Sequence, residues 1–545
     1  MNRNMRHWIV RTARVTLAAT CWWTLASAQQ PTASVTFQDL REGLKNPTRW
    51  LTYGGDYANL RHSPLTQITP ANVNRLVPQW QFQTDTLGKF EAAPLVFDGV
   101  VYVTGPLDTG WALDARTGRQ IWRYRRDLPS GLIACCGLVN RGFGVLGDRL
   151  FKTTLDAHIV AISRKTGAIE WDTPMVNYRH GYSGTTAPLV VKDKVIAGVA
   201  GAEYGIRGFI DAYDANTGKQ VWRFYTTAGP GDPGHGTWRG TDQKAWENGG
   251  GSIWVPGAYD PELNLTYWGT GNAGPDYNGS AREGDNLYTA SIVALDADTG
   301  ALKWHYQFTP HDIWDYDSTQ MPVLADLTLG GQLRKVVLFA NRNGFFYVLD
   351  RATGKLIRAK PFIQTTWAKE IRPDGRPMLE PNSVPSEDGT KVCPDQTGGT
   401  NWMPPSFSPS LNLLFVTARE SCGVFFSWKE DYAPGDAYRG GAVQRLVDEQ
   451  YSMLRAIDVL TGEKRWEFPY ANQSWTGVLS TASGLVFAGS SGNVIAFEGK
   501  SGKQLWHFQT GSTLYAGAIT YMVDDRQYVL MPSGTTLTAF ALAAF

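Results

Sequence analysis

One pattern constrains this chain more than any other: apolar-Ala-apolar-Asp-x-x-Thr-Gly-x-x-apolar-Trp. Copies lie at 112–122, 161–171, 212–222, 294–304, 348–357, 456–466 and 496–506. Thr-Gly, or Ser501-Gly502 in the last copy, suits a tight turn between two strands, the glycine supplying a positive φ. The closing Trp is then expected to pack against a neighbouring unit. Successive glycines lie 40 to 54 residues apart in most intervals, with longer gaps after Gly218 and Gly354. Short strands repeating at that period predict an all-β protein, a β-propeller. The two ends of the chain supply one more unit. Residues 536–542 read as the strand before the turn and 76–84 as the strand after it, with Trp80 in the Trp place. Seven internal copies and this split one predict eight blades, closed by N- and C-terminal strands so that no sheet edge is left open. Longer stretches at about 228–250 and 360–400, rich in Gly, Pro and charge, are expected as functional loops on one rim.

Composition agrees with that architecture. The 545 residues include 21 Trp and 58 Gly, a mixture suited to short strands, tight turns and aromatic packing. With 51 basic and 50 acidic side chains the net charge is +1, which gives no footprint for nucleic acid. Residues 1–28 resemble a secretory signal: Arg3, Arg6, Arg11 and Arg14, an apolar core over 15–25, then Ala26-Ser27-Ala28. A single domain over 29–545 would then be exported, most simply to a periplasm, with no transmembrane segment in the mature chain. A retained N-terminal anchor is the alternative. Removing Cys21 with the signal leaves Cys135, Cys136, Cys393 and Cys422, an even number that suggests two bridges in an oxidising compartment. Cys393 with Cys422 would close a loop of ordinary size. Cys135 and Cys136 are neighbours, about 3.8 Å apart at Cα and below the usual disulfide range, so two free thiols are the alternative there.

The densest chemistry lies in His311-Asp312-Ile313-Trp314-Asp315-Tyr316-Asp317, three carboxylates and an imidazole within seven residues. On an extended backbone Asp315 and Asp317 share a face. Two carboxylates forced together need a proton or a cation between them. The stretch is therefore a metal-and-base site or a solvated acidic loop. Gly269-Thr270-Gly271-Asn272-Ala273-Gly274 matches G-x-G-x-x-G, but Pro275 and a polar loop stand where a dinucleotide-binding helix would begin. H-E-x-x-H, G-x-S-x-G, Walker and C-x-x-C-H sequences are absent, the last excluding a covalently attached haem.

Taken together, the Trp-bearing repeats, the adjacent cysteines and His-Asp-x-Trp-Asp-Tyr resemble the pyrroloquinoline quinone (PQQ) dependent alcohol dehydrogenases over essentially the whole mature chain. The resemblance implies a cofactor site at Glu91, Cys135, Cys136, Arg141, Thr185, Gly201, Ala202, Ser252, Trp254, Arg342, Asn401, Trp402 and Trp475. It implies a vicinal disulfide against one face of the quinone and Trp254 on the other. Arg141 resembles a carboxylate-binding arginine, and Arg342 the one that contacts the quinone oxygens. Glu203, Asn272 and Asp315 resemble the metal ligands, and Asp315 the catalytic base. Asp317, two places after that base, resembles the lanthanide-using members, because a further carboxylate suits a trivalent ion; Ca2+ is the alternative. Ala200 stands where some relatives carry Ser. The implied chemistry is coherent: a flat tricarboxylate needs apolar slabs on its faces and cations at its edges. Oxygen ligands suit a hard cation acting as a Lewis acid, and Asp315 would take the alcohol proton.

The expected activity is oxidation of a primary or secondary alcohol. Many ethanol-type relatives carry a cytochrome domain after the propeller and this chain stops at its closing strand, so a separate soluble cytochrome c is the expected electron acceptor. One alternative is a member acting on aldehydes, sugar alcohols or polymeric alcohols. Another is a non-catalytic propeller scaffold of the cell envelope, which has no need of Cys135-Cys136 beside Glu203, Asn272 and Asp315. The sequence fixes neither the substrate nor the oligomeric state, a homodimer included.

Overall fold

In five of the seven internal repeats an Asp builds the turn that follows it, Ser163 and Glu498 standing in its place in the other two. In the first copy Asp114 Oδ1 accepts from the Thr117 amide and hydroxyl, both at 2.9 Å, and the Gly118 amide donates to the Asp114 carbonyl at 2.8 Å. The chain is thereby reversed between the third strand of a meander, Thr109–Asp114, and the fourth, Gln120–Arg125. A bulge between Ala112 and Leu113 then sets Trp122 opposite Ala112. The small alanine leaves room for the indole to lean out of the sheet. The same shift recurs at the matching place in the other repeats, Ala212 opposite Trp222 and Ala496 opposite Trp506 among them.

A computed structural model describes residues 34–543; the predicted signal at 1–28 lies outside the described residues. Among those described, eight sheets follow one another, at 95–125, 144–174, 189–225, 258–307, 323–361, 406–469, 479–509 and 519–542. Their neighbouring strands run antiparallel, in the order of the chain. The eighth takes its outer strand from the N-terminal part: Leu76–Gln83 pairs with Thr536–Leu542, and Trp80 stands opposite Ala539. First strands such as Leu95–Phe97 are wholly buried, whereas fourth strands such as Gln120–Arg125 alternate between buried and exposed.

Tryptophans tie each sheet to the next. The Trp80 indole lies over Gly118, whose φ of +71° and missing Cβ make the space for it, and its Nε1 donates to the Ala115 carbonyl at 3.2 Å. Trp122, Trp171, Trp222, Trp304 and Trp466 lie in the same way over Gly167, Gly218, Gly300, Gly354 and Gly502. Trp506 donates to the Leu76 carbonyl of the eighth sheet. The fifth copy has Arg358 in the Trp place, and the stems of Arg358 and Lys360 cover Gly462 instead. The expectation that the repeat Trp packs on a neighbouring unit is met at each Trp.

The segment 35–63 touches all eight sheets. Trp50 pairs with Val96, the Tyr57 carbonyl accepts from Tyr259, and the Tyr57 hydroxyl donates to Val190. The carbonyls of Ala58, Leu60 and Pro47 accept from Leu324, Phe407 and Met522, Val35 pairs with Gly147, and His62–Ser63 adds a parallel strand to Leu479–Thr481. Thr390–Val392, from the connection between the fifth and sixth sheets, pairs with Gly423–Ser427, which with Gly441–Arg445 forms an insertion between the second and third strands of the sixth sheet; the resulting small sheet lies beside the Cys393–Cys422 disulfide. Among the described residues no helix is long and apolar enough to cross a membrane.

Candidate active site

In a four-stranded meander the first strand begins, the second ends, the third begins and the fourth ends on one rim. Every predicted site residue lies on a connection at that rim, and the Thr-Gly turns lie at the other. Glu91, Thr185, Trp254, Trp402 and Trp475 precede first strands. Glu203, Asn272 and Arg342 sit between second and third strands, while Cys135, Cys136, Arg141, Asp315 and Asp317 sit between sheets. Such connections are free of the repeat and can carry chemistry.

They enclose a cavity of about 410 Å³. Of the predicted residues, Glu91, Cys135, Cys136, Arg141, Thr185, Gly201, Glu203, Trp254, Asp315, Asp317, Arg342, Asn401, Trp402 and Trp475 line it. Ala202, Ser252 and Asn272 are buried but do not line it. Cys135 and Cys136 are bonded to each other, and Glu203 Oε1 lies 2.8 Å from Cys135 Sγ. Arg141 donates to Glu91 at 2.7 Å, to Thr185 Oγ1 at 3.1 Å and to the Trp254 carbonyl at 3.1 Å; its guanidinium carbon is 4.7 Å from the centre of the Trp254 ring. Trp402 and Trp475 stack in parallel, 4.8 Å between centroids and 5° between planes. Asn401 Nδ2 donates to the Thr397 carbonyl at 3.0 Å.

Arg342 gathers the acidic end. Its Nη1 donates to Asp317 Oδ2 at 2.6 Å and its Nη2 to Asp315 Oδ2 at 3.1 Å. Asp317 also accepts from the Asn272 amide at 2.7 Å and from the Trp254 indole at 3.2 Å. Asp315 and Asp317 do share one space, but not by strand alternation. The backbone there is not a strand, and Asp315 is left-handed, with φ of +59°. Asp312 and His311 face elsewhere. Asp312 accepts from the Trp314 and Tyr316 amides, and His311 Nδ1 lies 2.8 Å from the Gly284 carbonyl.

Sequence reasoning missed Asp276, Tyr277, Arg439 and Arg445, all of which line the cavity. Asp276 accepts from Asn272 Nδ2 at 2.7 Å, and the Tyr277 hydroxyl lies 3.5 Å from Asp315 Oδ2. Asp276 was legible in principle: it stands four places after Asn272, in a segment remarkable only for its glycines. Nothing in the repeat announces Arg439 and Arg445, which arrive on the insertion.

The electrostatics ask for a cation. Burial pushes the carboxyl of Asp315 well above its ordinary range, and Asp276, Asp317 and Glu203 add to this against the opposing charge of Arg342. Asp276 is likewise held well up by burial and by Glu203. Asp317 and Glu203 are raised by burial, Asp317 with Arg342 acting against the shift and Glu203 with Asp317 adding to it. Three buried carboxylates, Asp276, Asp315 and Asp317, and the half-buried Glu203 thus face two guanidinium groups, Arg342 and Arg439. Packed oxygen donors with excess negative charge fit a hard multivalent ion. The rest of the cavity fits a flat polyanion: Trp254 and a disulfide as walls, Lys89 and Arg141 at the edge, and Arg141 Nε buried with no partner among the described residues.

Residues 50–362 and 445–529 match the family model "PQQ: Glucose/ethanol/alcohol dehydrogenase, beta-propeller domain". The chain belongs to this family. Quinoprotein alcohol dehydrogenase PedH of Pseudomonas putida is 37% identical over 533 residues, covering 92% of this chain and 89% of that protein. Lanthanide-dependent methanol dehydrogenase of Methylacidiphilum fumariolicum is 37% identical over 525 residues, covering 90% of this chain and 85% of its own. The solved structure of a europium-containing methanol dehydrogenase is 34% identical, with a TM-score of 0.88 over 93% of this chain and 100% of that one. The protein is a PQQ-dependent alcohol dehydrogenase, and PQQ with one metal ion are its cofactors.

Proposed function

We propose that this protein is a lanthanide-using enzyme that oxidises primary or secondary alcohols to aldehydes or ketones in the periplasm and passes the electrons to a soluble cytochrome c. The observation that carries this reading is Arg342 bridging Asp315 and Asp317 at the acidic end of a cavity walled by Trp254 and Cys135–Cys136. When bound, PQQ supplies the two-electron acceptor that no side chain offers. Its faces would meet Trp254 and the disulfide, and its carboxylates Arg141, which Glu91 and Thr185 hold in place. Glu203, Asn272, Asp315 and Asp317 would hold the metal. Asp315 takes the hydroxyl proton of the alcohol, with Arg342 keeping its carboxylate in position. An excess of carboxylate over guanidinium favours a trivalent ion, with Ca2+ as the second choice.

The same reading treats the eight sheets as eight blades of a closed propeller over a single domain, 29–545. The Trp-on-Gly contacts and the segment 35–63, which meets every sheet, support it. Two disulfides support an oxidising compartment.

The test is dye-linked alcohol oxidation by cofactor-free protein given PQQ with La3+, with Ca2+ or with neither, on alcohols from methanol to bulky secondary ones. Activity with La3+ alone is expected. Activity with Ca2+ alone removes the lanthanide assignment and keeps the enzyme. No activity together with no PQQ binding by titration overturns the reading.

A further inference from the structure

We propose that Asp276 is a positioning residue for the metal site: it fixes the Asn272 carboxamide and, after Asp317, is the second determinant of preference for a trivalent ion. This rests on the metal reading above. Asp276 is 1% exposed, lines the cavity, and sits in the same connection of the fourth sheet as Asn272. Its Oδ1 accepts from Asn272 Nδ2 at 2.7 Å, and the Ala273 carbonyl accepts from the same nitrogen at 3.3 Å. With its NH2 group so engaged, Asn272 has only its Oδ1 to offer a cation. Asp317 holds the same residue from the other side, accepting from its backbone amide at 2.7 Å. Without Asp276 the carboxamide is free to turn over and present hydrogens, which a cation repels.

Its charge matters as much as its hydrogen bond. Arg342 is committed to Asp315 and Asp317. Arg439, the other guanidinium facing this end, makes no ion pair with any described residue, although Asp276 and Glu203 are the carboxylates that act on it most. Asp276 is thus a carboxylate at the metal end with no cation bonded to it. Ligand charge is a principal means by which oxygen sites tune affinity. One carboxylate more favours a trivalent ion over a divalent one.

The two roles separate in two variants. Asp276→Asn keeps an oxygen to accept from Asn272 and removes the charge; Asp276→Ala removes both. PQQ-loaded protein would be titrated with Tb3+, following emission sensitised by Trp254, whose indole is bonded to Asp317, with Ca2+ affinity from competition. In Asp276→Asn, Tb3+ affinity is expected to fall about tenfold and Ca2+ affinity less than about threefold; in Asp276→Ala both fall by about 10–100-fold. A ratio of Tb3+ to Ca2+ affinity in Asp276→Asn within about twofold of the wild type overturns the proposal. If Asp276→Ala does not fold, the near-isosteric Asn variant still decides. A wild-type protein that binds neither ion overturns the metal reading itself, a separate result.

Discussion

Asp315 is held rather than merely placed. Its carboxylate takes a hydrogen bond from Arg342 at 3.1 Å and lies beside the Tyr277 hydroxyl, on a left-handed backbone that Asp312 braces through the Trp314 and Tyr316 amides. Asp315→Asn keeps the shape and removes the proposed base. Dye-linked turnover of the loaded enzyme is expected to fall about 10²–10⁴-fold while PQQ binding, read from its absorbance, persists. Asp312 gives a pH signature. It is fully buried, and burial raises its carboxyl from 3.8 to about 7, two backbone amides and Arg282 opposing. The folded state then binds its proton more tightly than the unfolded chain, so its contribution to stability is full below about pH 4 and is lost as pH rises toward 7. In loaded enzyme the thermal midpoint should decline over that window, and the decline should be shallower in Asp312→Asn; an equal slope removes Asp312 as its source. The acidic cluster 311–317 was legible as chemistry, but the division of labour within it was not. Which carboxylate faces the cavity and which ties down the loop depends on a backbone turn that alternation does not describe.

At the scale of the element, the repeat is legible because it is locally complete. Asp, Thr and Gly make the turn, and Ala opposite Trp makes room for the indole, all within eleven residues. Trp304 shows the energetic weight of this. It is 8% exposed, lies over Gly354, donates to the Arg351 carbonyl at 3.2 Å and meets the Tyr267 ring at 5.7 Å. Trp304→Ala is expected to lower stability by about 3–5 kcal/mol, measured as a fall in denaturant midpoint, since it opens a cavity between two sheets. The Cys135–Cys136 pair behaves differently. It lies on a connection that belongs to no sheet and contacts Glu203 at the cavity wall. Reduction, confirmed by mass, should therefore impair activity with little change in the unfolding midpoint. The insertion that brings Arg439 and Arg445 to the cavity has no such local grammar. Its place is fixed by distant pairings, Tyr277 with Arg439 and Glu203 with Tyr438, which a single sequence does not reveal.

For the whole molecule the decisive part is the segment 35–63, which carries no copy of the repeat and gave no signal of its role in the sequence. Neighbouring sheets are joined by a tryptophan, or by Arg358 and Lys360 between the fifth and the sixth, but among the described residues only this segment meets them all. Arg61 is its most buried charge: fully enclosed, with no carboxylate partner among the described residues, it donates to the carbonyls of Tyr53 at 2.8 Å, Val478 at 2.9 Å and Ala518 at 2.5 Å. Those carbonyls belong to the segment itself and to the entries of the seventh and eighth sheets. Burial lowers the guanidinium to about 10, so it stays charged at neutral pH, its charge spread over three peptide dipoles and the face of Trp50 at 5.4 Å. Arg61→Met preserves much of the volume and leaves three buried acceptors without donors. At about 1 kcal/mol or more for each orphaned group, a loss of at least about 3 kcal/mol is expected. Because the rim cavity draws on connections from all the sheets, loosening the seventh against the eighth should also weaken PQQ binding, although Arg61 does not line that cavity. Equilibrium unfolding and a PQQ titration on the same variant read both effects. Lowered stability with unchanged PQQ affinity would confine the segment to a structural role. Loss of both would make it the element through which the eight sheets together hold the site.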